Sequence, residues 1–250
     1  MRTVTLAHAV CDERGQKSGG ILGNQTANLY HTTGELRFSE WYLSGGKSWD
    51  YVIRAKKKSQ RVTIAAAAMA AVRNNFIGYD QTFRASLYDA CKPQFFPGDV
   101  KTNCACDCSS LVTVCCNYAK IPLLRDTYTG NLKERCEAVG MFKIYKAKKY
   151  VSWYEDLEDG DILLRVGHHA AIVVNTLYHM TTYLKMGCKG EPVIMLQHQL
   201  NTLIAAGLIE DGDFGFKTDA ALRRYQSIYK LQTDGIMGPL TAAHMGFLWR

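Results

Sequence analysis

Cys104, Cys106, Cys108, Cys115 and Cys116 place five of the nine cysteines within thirteen positions, in the stretch NCACDCSSLVTVCC at residues 103–116. Such a cluster can bind a metal, form disulfides or shelter one reactive thiol. Structural zinc usually takes two separated ligand pairs. The CxCxC run has no second half-site, so no metal and no cofactor are expected. Nine cysteines cannot all pair within one chain, and 250 residues can bury a core without covalent staples. The thiol reading is left. Leu111, Val112, Cys115 and Ala119 recur at helical spacing, which predicts a helix after Cys108. Asp107, Ser109 and Ser110 each suit its cap. Cys108 then sits at the first turn, where unpaired N–H groups and the helix dipole favour a thiolate. Such a cysteine is either a nucleophile or a buried packing thiol. Cys115 and Cys116 read as packing thiols.

A nucleophilic cysteine needs a base. The stretch LEDGDILLRVGHHAAIVVN, residues 157–175, predicts two strands, DILLRV and HAAIVV, the first opened by an Asp159-Gly160 turn. His168 and His169 open the second strand. Alternation lets only one of them face a given side.

These residues resemble the NlpC-type and CHAP cysteine peptidases and amidases that cut bacterial peptidoglycan. Asp107, Cys108 and Ser109 match the helix-start motif of that group. Gly160, Asp161 and Ile162 match a glycine-aspartate-aliphatic motif, and His169, Ala170, Ala171 and Ile172 match the histidine motif, favouring His169 over His168. The resemblance implies an α+β, papain-like catalytic domain, with a nucleophile helix packed on an antiparallel sheet. It implies Cys108 as nucleophile, His169 as its partner, and a third polar group orienting the histidine. His179 is the expected third member. Glu13, Asn24, Gln25 and Gln81 in the N-terminal region are alternatives. The earlier segments CDERG, GGILGNQT and NNFIGYDQTFRASLYDA resemble the leading part of lysins from phages and prophages of low-GC Gram-positive bacteria. Asp107, Ser109 and His168 are expected near substrate. Tyr79 and Gln81, in GYDQ, either help hold the oxyanion or form a plain turn before a helix starting near Thr82.

The C-terminal part repeats itself. DGDFGFKTDAAL (211–222) and DGIMGPLTAAHM (234–245) align as DGxxGxxTxA at an offset of 23 residues. Leu222, Tyr225, Tyr229 and Leu231 share one helical face, as do Val193, Leu196, Leu200 and Leu203. A compact three-helix module follows. It resembles the type 1 peptidoglycan-binding domain, with LQxxLN, DGxFGxxT, YQ and DGIxGPxT present from Val193 to Thr241. The motif residues Asp211, Gly212, Phe214, Gly215, Asp234, Gly235 and Gly238 mostly shape turns.

Composition divides the chain the same way. The net charge is +7, yet residues 189–250 hold six basic and six acidic side chains, so residues 1–188 carry all of the excess. Lys56–Lys58, with Arg54 and Arg61, read as a solvated basic face. A basic catalytic domain is drawn to the anionic wall of Gram-positive bacteria. No nucleic-acid motif accompanies the basic run. The N-terminus MRTVTLAHAVCDERG lacks an apolar core of signal-peptide length, and the run VTIAAAAMAAV (62–72) is short enough to be a helix rather than a membrane span. Synthesis in a host cytoplasm, without membrane insertion, and action on the wall after release are expected. The expected division is a catalytic domain at 1–182, a linker at 183–190 and a peptidoglycan-binding domain at 191–250. The overall expectation is a phage endolysin cutting a stem-peptide amide or the muramoyl–L-alanine link. A wall-binding protein with a decayed site is the alternative.

Overall fold

The alternation of apolar residues along short segments builds a six-stranded sheet within residues 5–173. A computed structural model describes residues 4–23, 25, 31–174, 179–180, 182–245 and 247–249. The chain divides into two units, Met1–Asn175 and Thr176–Arg250. In the first, the sheet strands are β1 (Thr5–Ala9), β2 (Leu36–Glu40), β3 (Tyr51–Ala55), β6 (Phe142–Tyr145), β7 (Ile162–Arg165) and β8 (His169–Val173). Their order is β2-β1-β8-β7-β3-β6, with every pairing antiparallel. A separate parallel pair joins β4 (Ile77–Tyr79) to β5 (Cys104–Cys106). The helices are α1 (Lys58–Arg73), α2 (Ser86–Ala90), α3 (Cys108–Tyr118), α4 (Leu132–Val139) and α5 (Lys148–Val151). The alanine-rich run is thus the helix α1. The helix expected near Thr82 starts at Ser86, because Asp80 Oδ1 takes the Thr82 and Phe83 N–H groups into a turn first.

Period two gives the sheet two buried faces. Leu6, Val52, Leu163, Ala171 and Val173 pack with Trp49, Val151 and Leu157 on one, with Trp41, Tyr42, Tyr145, Tyr150 and Tyr154 around them. The opposite parity, Ala7, Ile53, Ile162, Ala170 and Ile172, is equally buried and faces the layer where α1 and α3 pack on each other and on β1 and β8. The Gly160-Asp161 motif is structural. Asp161 is fully buried and accepts from Arg54 Nε and Nη2 at 2.7 Å each. Arg54 also reaches Glu158 at 2.5 Å and lies over the Tyr145 and Tyr150 rings. Arg54 therefore belongs to a buried ion pair, a correction to the solvated face expected for it. Arg61 pairs with Glu158 at 2.7 Å. Gly160 has φ +75°, and a Cβ there would fall 2.1 Å from the Arg61 carbonyl oxygen.

The second unit holds α6 (Glu191–Ile204), α7 (Phe216–Ile228) and α8 (Pro239–Met245), with β9 (His179–Met180) parallel to β10 (Leu248–Trp249). Val193, Leu196, Leu200, Phe214, Leu222, Tyr225, Met237 and Met245 form its core. Leu203 and Leu231 pack at its margin, while Tyr229 is 39% exposed and lies against the Tyr225 ring. The repeat appears as two equivalent clamps. Gln197 Nε2 donates to Asp211 Oδ1, the Asp213 carbonyl and Thr218 Oγ1 (2.8, 3.0 and 3.2 Å), and its Oε1 accepts the Gly212 N–H. Gln226 repeats this with Asp234, Ile236, Thr241 and Gly235. One buried amide thus ties together a whole turn. Within the segment 183–190, expected as a linker, Leu184 and Lys189 bridge to Met237 and Asp213, so both belong to this fold.

Candidate active site

Asp107 closes the start of α3 through a capping box. Its Oδ1 accepts the Ser110 N–H at 2.7 Å, and Ser110 Oγ accepts the Asp107 N–H at 2.8 Å. Ser109 Oγ donates to Asp107 Oδ1, and Arg84 Nε pairs with Asp107 Oδ2 at 2.9 Å. Asp107 and Ser109, expected near substrate, are buried and held in this cap. The cap puts Cys108, 6% exposed, at the first helical position. The α3 helix packs on β8, and the Ala170 and Ser109 N–H groups act to lower the pKa of the Cys108 thiol. Ala170 directly follows His169, so the helix start meets β8 at the expected histidine. His168 lies exposed in the turn before the strand.

The neighbour of His169 was not read from the sequence. His8 Nδ1 lies 2.9 Å from His169 Nε2, and His8 Nε2 lies 2.7 Å from Ser39 Oγ. Tyr42 adds its hydroxyl at 3.3 Å from His8 Nδ1. The pairing of β1 with β8 puts His8 on the sheet face of Ala171 and His169. Its only sequence signal is a histidine inside the alternating strand TLAHA. His179, expected to orient His169, lies in β9 of the second unit, and its side chain falls outside the described residues, as does Asn24. Of the alternatives, Gln25 donates to the Val72 and Asn74 carbonyls and accepts the Leu36 N–H, while Glu13 accepts the Ile21 N–H. Tyr79 is buried in β4, and its hydroxyl accepts from Gln81 Nε2 at 3.2 Å.

Electrostatics differ from the thiolate expected at a helix start. Burial, reinforced by the Asp107 carboxylate, pushes the Cys108 thiol up to about 12. Burial, with Lys17 and Arg37 adding to it, lowers His169 to about 4. His8 is lowered well below the ordinary histidine value, again chiefly by burial. The resting site is therefore a neutral thiol beside two neutral imidazoles. Hydrogen-bond logic orders them: with His8 Nε2–H donating to Ser39, His8 Nδ1 accepts from His169 Nε2–H, which leaves the His169 Nδ1 lone pair able to accept a proton. Among the described residues no group of three His, Cys, Asp or Glu side chains is arranged to hold a metal ion. All nine cysteines are free.

The sequence pattern of the endolysin-like domain matches residues 6–178, which carry this whole arrangement. The chain belongs to the endolysin-like domain family. A second pattern, the putative peptidoglycan binding domain, matches residues 189–245. The zinc D-Ala-D-Ala carboxypeptidase of Streptomyces albus G is 42% identical over 66 residues, 26% of this chain and 26% of that protein. An uncharacterized protein in the bpoA1 3' region of Kitasatospora aureofaciens is 44% identical over 59 residues, 23% and 50% of the two chains. The chain thus spans between a quarter and a half of the length of these relatives. Among solved structures, the SleB N-terminal domain is 33% identical over 27% of this chain and 92% of its own, with TM-score 0.26. A peptidoglycan-binding protein from Clostridioides difficile is 32% identical over 30% of this chain and 45% of its own, also at 0.26. No helix among the described residues is long and apolar enough to cross a membrane.

Proposed function

We propose that the first unit is a cysteine-dependent peptidoglycan hydrolase of endolysin type with a papain-like arrangement, cutting an amide of the stem peptide or the muramoyl–L-alanine link, and that the second unit holds it on the wall. The observation that supports this is the convergence of Cys108, at the capped start of α3, with the His169–His8–Ser39 chain on β8, β1 and β2. The thiol attacks the amide carbonyl carbon while its proton passes to His169 Nδ1. The Cys108 N–H faces the developing oxyanion, and Gln81 supplies a second donor. The carbon–nitrogen bond then breaks, and His169 gives its proton to the leaving amine. Water next loses a proton to His169 and adds as hydroxide to the thioester carbon; the carbon–sulfur bond breaks, the carboxylic acid leaves, and the departing sulfur takes the proton from His169 to reform the thiol. His8 acts through His169, holding its tautomer and ring plane. The zinc chemistry named for one relative belongs to that protein, whose 66 matched residues are far fewer than residues 6–178.

The test is digestion of purified walls with release followed by mass spectrometry. Cys108→Ala should abolish cleavage while co-sedimentation with walls persists. Activity undiminished in that variant, or lost to chelator and restored by zinc, would overturn the mechanism. Binding without cleavage by the unaltered chain would leave the reading of a catalytically inactive wall-binding protein.

A further inference from the structure

Two cations border the histidine pair, and neither has an acidic partner among the described residues. Arg37 is the direct cross-strand partner of His8, on the same face of the sheet, with no hydrogen bond or ion pair among the described residues. Lys17 Nζ donates to the Val10 carbonyl at 2.5 Å and lies 5.4 Å from the centre of the Tyr79 ring. The neighbouring carboxylates are committed elsewhere. Asp12 is held by Arg14 at 2.8 Å, Asp107 by Arg84 and the helix cap, and Glu35 by the Tyr79 N–H at 2.5 Å. Burial raises Glu35 to about 7, which weakens it further as a counter-charge. Both cations oppose protonation of His8 and His169. Left uncompensated, they work against the imidazolium that amide cleavage must form. An anion arriving with the substrate would remove that opposition.

We infer that Lys17 and Arg37 form a subsite for a carboxylate of the stem peptide beside the scissile amide. The inference rests on the hydrolase reading and names its substrate class: a peptide with a free carboxylate rather than a carboxamide at that place. Arg37 offers a planar fork and Lys17 a point charge, and each can pair with a carboxylate.

The experiment compares two soluble muropeptides that differ only in this group, free acid against carboxamide, with the full chain, Lys17→Met, Arg37→Met and the double variant. The unaltered chain should prefer the acid by about tenfold or more in kcat/KM, as expected for losing a charge-assisted contact. The double variant should lose that preference through a raised KM for the acid, with an unchanged melting temperature. Lys17→Arg should keep it. Equal cleavage of both peptides by the unaltered chain, or a preference surviving in the double variant, would overturn the subsite and leave the hydrolase reading standing. If neither peptide is cleaved, the hydrolase reading falls, and calorimetric binding decides the subsite: tighter binding of the acid, lost in the double variant, supports it, and equal binding overturns it.

Discussion

At Cys108, burial and the helix start act in opposite directions on the thiol. Burial and the Asp107 carboxylate raise its pKa, while the Ala170 N–H, the Lys17 cation and the Ser109 N–H lower it, and the first pair prevails. Under the proposed mechanism, a thiol near 12 beside a histidine near 4 would react by general base catalysis rather than as a standing ion pair. The sign for activity follows. His169 must be neutral to accept the proton, so the rate should hold as pH falls from neutral and be lost only as pH drops through about 4. Iodoacetamide should modify Cys108 slowly at neutral pH and faster as pH rises. His8→Ala lets water reach His169, so the acid limb should move up toward the ordinary histidine value of about 6.5. The same variant should lower kcat/KM by roughly 10- to 100-fold, because the ring loses its orienting contact. A pH–rate profile of the two proteins checks both. An acid limb unchanged in His8→Ala would remove His8 from the positioning role.

Among the elements, the β7–β8 hairpin carries His169 and the helix α3 carries Cys108, so their stability sets the precision of the site. The hairpin is anchored by Asp161, whose carboxylate takes two hydrogen bonds from Arg54 and the Glu158 N–H. Removing one member of a buried pair strands the other charge. Asp161→Ala should therefore cost about 3–5 kcal/mol of unfolding free energy, read by urea denaturation. Replacing both members with apolar residues, as in Arg54→Met with Asp161→Leu, should cost much less. A single variant no worse than the double would show that Arg54 finds another partner.

For the whole molecule, the two-unit division predicts separable fragments. Residues 176–250 contain the β9–β10 pair and both Leu184 and Lys189 bridges, whereas residues 189–250 lose β9 and Leu184. The longer fragment should melt at a higher temperature and co-sediment with walls without cutting them. Residues 1–175 should cut purified peptidoglycan more weakly than the full chain, for want of an anchor. Equal melting of the two C-terminal fragments would show that the bridges add nothing.

The sequence by itself determined what is local. The cap residues and helical spacing located Cys108, alternation located the strand that His169 opens, and the 23-residue repeat located the C-terminal module. These signals lie within one turn, one strand or one repeat, where neighbouring side chains already constrain the backbone. Tertiary structure decided the rest. His8 reaches His169 across 161 positions, because β1 inserts beside β8, and no local pattern reports strand order. The same folding brought Arg54 to Asp161 and made the Gly160-Asp161 motif a buried anchor. It also reversed the expected charge state, since a helix start favours a thiolate only where water or a cation helps it. Burying Cys108 removed the first, and the Asp107 carboxylate beside it outweighs the help of the Lys17 cation.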